Sequence, residues 1–158
     1  MNKLKIIEDL ESKRKTYLLG FIVFFGMWQF PWIIIMYFRD YLPKVIVAVF
    51  MIALLVGTVG WVWVTILLMK ISKVFKQNPE LIKVLNDERI FDLRYKASYY
   101  GMLTTMIVSM FFYLLIYLAK TWFGLDLNLF SGQFVAHMLW FVIVMSSTIS
   151  FYVLEKNQ

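Results

Sequence analysis

Apolar and polar positions alternate along this chain in long blocks rather than residue by residue. Four blocks, at 16–38, 45–69, 97–119 and 132–154, carry no Asp, Glu, Lys or Arg. Each is long enough to cross the roughly 30 Å of bilayer hydrocarbon as a helix. A spanning backbone must satisfy its own hydrogen bonds, and helices do so within one segment. The pattern therefore predicts an all-α integral membrane protein: a four-helix bundle forming a single membrane domain over residues 1–158.

The polar segments carry patterns of their own. In residues 1–15, Ile6, Ile7 and Leu10 fall on one side of a helix, opposite Glu8, Glu11, Ser12 and Lys15. This predicts a short amphipathic helix on the membrane surface. The Arg39–Lys44 segment is short, so spans one and two are antiparallel neighbours. Residues 70–96 form the longest polar stretch. Asn78-Pro79-Glu80 reads as a start signal for a second short amphipathic helix, with Leu81, Ile82, Val84 and Leu85 on its apolar face. Asn86-Asp87 offers another start, and the helix beginning near Glu88 is expected to continue unbroken into span three. Tyr95, Tyr99 and Tyr100 then fall at headgroup level, where rings with a polar tip are favoured. The Lys120–Gln133 connection carries Trp122 and Phe123 as interfacial anchors, with Ser131 as a cap for the last span.

Within the spans, small residues recur at helical spacing. Ala53, Gly57, Gly60 and Val64 line one face of span two; Ala97, Gly101, Thr105 and Ser109 line one face of span three. Such faces let helices approach closely in lipid, where van der Waals contact drives association. Pro31 is expected to kink span one, and Trp61 and Trp63, at mid-span, are expected to pack against other helices. Met102, Met106 and Met110 form a stripe that reads as adaptable packing. Gln29, Gln133 and His137 are the polar side chains of interest, with Ser147 and Thr148 near the face of the last two. Each is accounted for by a hydrogen bond within the bundle; the alternative is a polar lining, should they converge. Ser146, Ser147, Thr148 and Ser150 suit hydrogen bonds back to their own helix.

On the helix entering span three, Arg89 and Asp92 are spaced i,i+3, and Asp92 and Lys96 i,i+4. Asp87, Glu88, Arg89, Asp92 and Lys96 thus read as a salt-bridged helix start, or as a contact for a partner or a lipid headgroup. Asp87-Glu88-Arg89, followed by Lys96-Ala97 at the mouth of a span, resembles a pattern in small prokaryotic four-span membrane proteins of unknown function. That resemblance implies the four-span layout and no particular activity, so it transfers no functional residue.

Composition agrees with the membrane reading. The chain is 61% hydrophobic and 19% aromatic, with a mean hydropathy of +0.72. It has no cysteine, which removes disulfides, thiolate metal sites and thiol nucleophiles, and one histidine. No cofactor is expected. The net charge of +6 comes from residues flanking the spans, which points to topology and anionic lipid rather than to nucleic acid. Thirteen Lys and Arg lie in the N-terminal segment, the 70–96 stretch and the C-terminus, against three in the other two connections. The positive-inside rule then puts both termini in the cytoplasm of a multi-pass protein of the cell membrane.

Function classes narrow accordingly. The spans hold no carboxylate for cation coupling, no glycine-rich phosphate loop is present, and no Ser-His-Asp set is placed to cooperate. The expectation is a non-enzymatic protein acting by helix packing. It would be an accessory, regulatory or immunity-type subunit bound to another membrane protein, or a homo-oligomer. The alternative is an oligomeric pore for small solutes.

Overall fold

The computed structural model describes residues 3–78, 88–123 and 132–156. They form four long helices: α1 Lys3–Phe38, α2 Lys44–Gln77, α3 Glu88–Phe123 and α4 Gly132–Lys156. No strand occurs among the described residues. Each helix is long and apolar enough to cross a membrane. The short helix expected over residues 80–86 and the connection at 124–131 lie outside the described residues.

The α1–α2 turn is set by proline. After a single 3-10 turn at Arg39–Tyr41, Leu42 is extended (φ −97°, ψ 140°), the conformation that a following proline imposes. Pro43 then offers its carbonyl to the amides of Ile46 and Val47 at 2.9 and 3.1 Å, opening α2. At the far end, the backbone and side-chain amides of Asn78 both donate to the Val74 carbonyl, at 3.0 and 3.2 Å. Asn78 thus closes α2; the helix that the sequence starts at Asn78-Pro79-Glu80 lies outside the described residues.

The principal helix contacts run α2–α1–α4–α3. Two hairpins, α1–α2 and α3–α4, meet along the α1–α4 seam. At the centre of that seam Phe25 is 3% exposed. Its ring lies 5.5 Å from Trp61, 5.7 Å from Trp140 and 6.1 Å from Phe141. Toward the end holding the α1–α2 turn, buried Phe134 of α4 meets Tyr37 and Phe38 of α1 and Phe112 of α3 at 5.2, 5.1 and 6.3 Å. Aromatic rings suit these crossings because they fill irregular space and gain from edge-to-face contact.

Helix length shapes the opposite end. α1, α2 and α3 have 36, 34 and 36 residues. At 1.5 Å per residue they are about 50–54 Å long, well beyond the hydrocarbon thickness. The excess is polar and falls at one end: the start of α1, the end of α2 and the start of α3. Here the structure departs from the expected surface helix, because residues 3–15 continue into span one without a break. No proline or glycine intervenes before Gly20. The stripe of Ile6, Ile7 and Leu10 is covered by Leu67, Ile71, Val74 and Phe75 of α2, so a helix rather than lipid satisfies its apolar face.

Candidate functional site

Three places in the structure concentrate unusual chemistry or close approach: the α1–α2 crossing at Gly57, the α3–α4 crossing at Gly101, and an ion pair between the N- and C-terminal helices.

At the first crossing, α2 meets α1 backbone to backbone. A β-carbon on Gly57 would stand 2.6 Å from the Trp28 nitrogen and 2.8 Å from the Met27 carbonyl carbon. Pro31 lies inside α1 and lacks the N–H that would bond the carbonyl four residues back, that of Met27. The glycine thus brings α2 against the peptide at which the α1 ladder is interrupted. One turn on, a β-carbon on Gly60 would collide with the Phe24 ring. Val64 is buried and Ala53 half-buried. Trp61 stacks on Trp28 at 5.9 Å, while Trp63 is half exposed.

At the second crossing, a β-carbon on Gly101 would collide with the Ser147 hydroxyl and stand 3.1 Å from the Ser147 Cα. The Gly101 carbonyl accepts from Thr105 Oγ1 at 2.8 Å and from Ser146 Oγ at 3.4 Å. Ser146 and Thr148 also bond back to Val142 and Val144. Ala97 is buried, and Ser109 is half-buried on the same helix. Met102, Met106 and Met110, by contrast, are 58–76% exposed. The stripe read as packing filler is on the outer surface of this chain.

The third place was not read from the sequence. Arg14 of α1 donates from Nε to Glu155 Oε1 of α4 at 3.0 Å, and from Nη2 to the same oxygen. The Glu155 side chain is 4% exposed and that of Arg14 20%. The second carboxylate oxygen, Oε2, is buried and has no hydrogen-bond partner. Each residue alone looks like an ordinary charge flanking a span. The available signal was that the one acidic residue closing span four must lie at the same end as the Lys13-Arg14-Lys15 triplet, since four spans return the chain to its starting side.

The other candidate residues are dispersed. Asp92 and Lys96 pair at 2.8 Å, both about half exposed, as i,i+4 neighbours do on a solvated helix face. Glu88 and Arg89 open α3; Asp87 and the expected Arg89–Asp92 pair lie outside the described residues. Gln29 is 7% exposed, and its Oε1 is buried without a partner. His137 lies 6.3 Å from the rings of both Tyr37 and Trp140. Tyr37 stands eight residues after Gln29 on α1, about 12 Å along the axis. Gln133 is exposed. Gln29 is thus enclosed within the chain, whereas Gln133, one turn before His137 on the last helix, faces outward. Among the described residues, no three His, Asp or Glu side chains gather as a metal site would require.

These features define a multi-pass helical membrane protein whose interior is aromatic and whose buried charge, among the described residues, lies at one end. No protein-family model, curated protein or solved structure matches the chain.

Proposed function

We propose that this is a non-enzymatic membrane protein that acts by helix packing. It serves as an accessory, regulatory or immunity-type subunit of another integral membrane protein, or assembles with further copies of itself. The observation that supports this reading is that, within the chain, Gln29 is enclosed while Gln133 faces outward, so the polar side chains do not gather around one cavity of the protomer. The outer face of α3 adds support. Tyr95, Tyr99, Met102, Met106, Met110 and Tyr113 are all more than half exposed, and methionine with tyrosine is a composition that adapts to a partner surface.

Native mass spectrometry of protein gently extracted at natural abundance tests the reading. A larger membrane protein present in fixed ratio, and lost on Met106→Arg, is the expected result. A homo-oligomer that conducts solute in liposomes would replace this reading with the pore.

Orientation belongs to the same proposal: the charge distribution supports a cell-membrane protein with both termini cytoplasmic. The absence of cysteine makes single-cysteine labelling clean. Ser12→Cys and Gln77→Cys are expected to react with an impermeant maleimide only in inside-out vesicles, and Asp40→Cys only in intact cells. The reverse pattern would invert the topology.

A further inference from the structure

The basic residues at the end holding both termini differ in how they are neutralised. Lys13 pairs with Asp9, Arg14 with Glu155 and Lys96 with Asp92. α2 contributes Lys70, Lys73 and Lys76 to the same end, yet from Lys44 to Gln77 it contains no Asp or Glu. No ion pair involves these three lysines among the described residues.

Two of them line a groove of about 400 Å³ together with Ser72, Met69, Leu68 and Thr65. The six lie along one face of α2, and their order is graded. Thr65, Leu68 and Met69 are within span two. The Thr65 hydroxyl is turned back onto the Trp61 carbonyl at 2.9 Å, which leaves the span side apolar. Ser72, Lys73 and Lys76 follow at the point where the helix leaves the apolar run. Among the described residues nothing covers this face: Ile71, Val74 and Phe75, on the other side of α2, are the residues that meet α1, while Ser72, Lys73 and Lys76 are exposed.

We infer that this groove is a binding site for an anionic phospholipid. The Lys73 and Lys76 ammonium groups and the Ser72 hydroxyl hold the phosphate, and Leu68 and Met69 carry the first part of an acyl chain. Two ammonium groups with no ion pair among the described residues, one turn apart, match a phosphodiester at headgroup depth. The apolar half below them matches the chain of the same molecule. A soluble anion would gain nothing from Leu68 and Met69, which is why a lipid is the occupant. An unpaired lysine near an anionic membrane surface contributes about a five-fold gain in binding.

The test is native mass spectrometry of the detergent-solubilised full chain titrated with phosphatidylglycerol or phosphatidylcholine. One phosphatidylglycerol is expected to bind in preference to phosphatidylcholine. The double variant K73Q/K76Q is expected to weaken it about 25-fold, at five-fold per lysine. Lys70→Gln, an equal loss of charge per residue outside the groove, should leave it unchanged, and glycerol phosphate at millimolar concentration should not displace the lipid. Equal binding of the two lipids, or an intact adduct in K73Q/K76Q, would overturn the site. So would a Lys70→Gln effect as large per lysine, which would reduce it to diffuse charge. Displacement by glycerol phosphate would overturn the lipid as occupant.

Discussion

Gly57→Leu is expected to separate α2 from α1 and to lower stability by more than about 3 kcal/mol, beyond the usual cost of inserting extra methylenes into a packed site. The reason is the identity of the obstructing atoms. A β-carbon there meets the backbone of Met27 and Trp28, which no rotamer change can move aside. Even Gly57→Ala should cost about 1–3 kcal/mol. Gly101→Ala should be milder, because the nearest atom is the Ser147 hydroxyl, which can rotate, and the Ser147 Cα stands at 3.1 Å. Gly132→Leu is the control, since nothing lies within 4 Å of that position. Thermal unfolding in detergent, followed by tryptophan fluorescence, reads the order directly, as Trp28 and Trp61 stack beside the crossing. A Gly57→Leu protein that melts with the wild type would show that the two helices do not depend on this contact.

The same glycine illustrates what a sequence can carry for a membrane fold. The four apolar blocks are local, and a spanning segment must be helical, so the number of spans follows from composition and length, although three of the helices run well past their blocks. The unbroken run from Glu88 into span three was legible for that reason. Small residues at Gly57 and Gly101 announce that some helix comes close. They do not say which one, because any neighbour's backbone fits against a glycine. The α2–α1–α4–α3 order depends on pairings such as Phe25 with Trp140 and Phe141, and nothing local distinguishes one aromatic from another in a chain with 15 Phe and 6 Trp.

Two faces show what periodicity leaves open. The N-terminal amphipathic stripe suits the lipid surface by sequence, and the Met102, Met106 and Met110 stripe suits adaptable packing, but neither pattern names the surface it meets. Periodicity identifies a face but not its partner. For Ile6, Ile7 and Leu10 the partner is the part of α2 that runs beyond its apolar block, around Ile71. For the methionines no described helix of this chain stands on that side, and they are exposed. In lipid, unlike water, an apolar face gains little from being covered by protein, so hydrophobicity alone cannot rank the two outcomes.

The Arg14–Glu155 pair, invisible to any local pattern because its members lie 141 positions apart, is expected to respond unequally to loss of its two halves. Arg14→Met keeps most of the stem and removes the charge. It leaves a carboxylate that is 4% exposed, already has one oxygen without a partner, and then has no cation. The expected loss is about 3 kcal/mol, at the lower end for a broken buried pair. Glu155→Leu should cost less, because Arg14 is 20% exposed and its long side chain can carry the guanidinium out to the interface. The double variant should recover most of the Arg14→Met loss, since replacing a buried pair by apolar groups is often close to neutral. Unfolding of the three variants in detergent closes a double-mutant cycle whose coupling is the quantity of interest. Additive losses would mean that the pair does not hold α1 to α4. A Glu155→Leu loss equal to that of Arg14→Met would mean that packing at the seam, not the stranded charge, sets the cost.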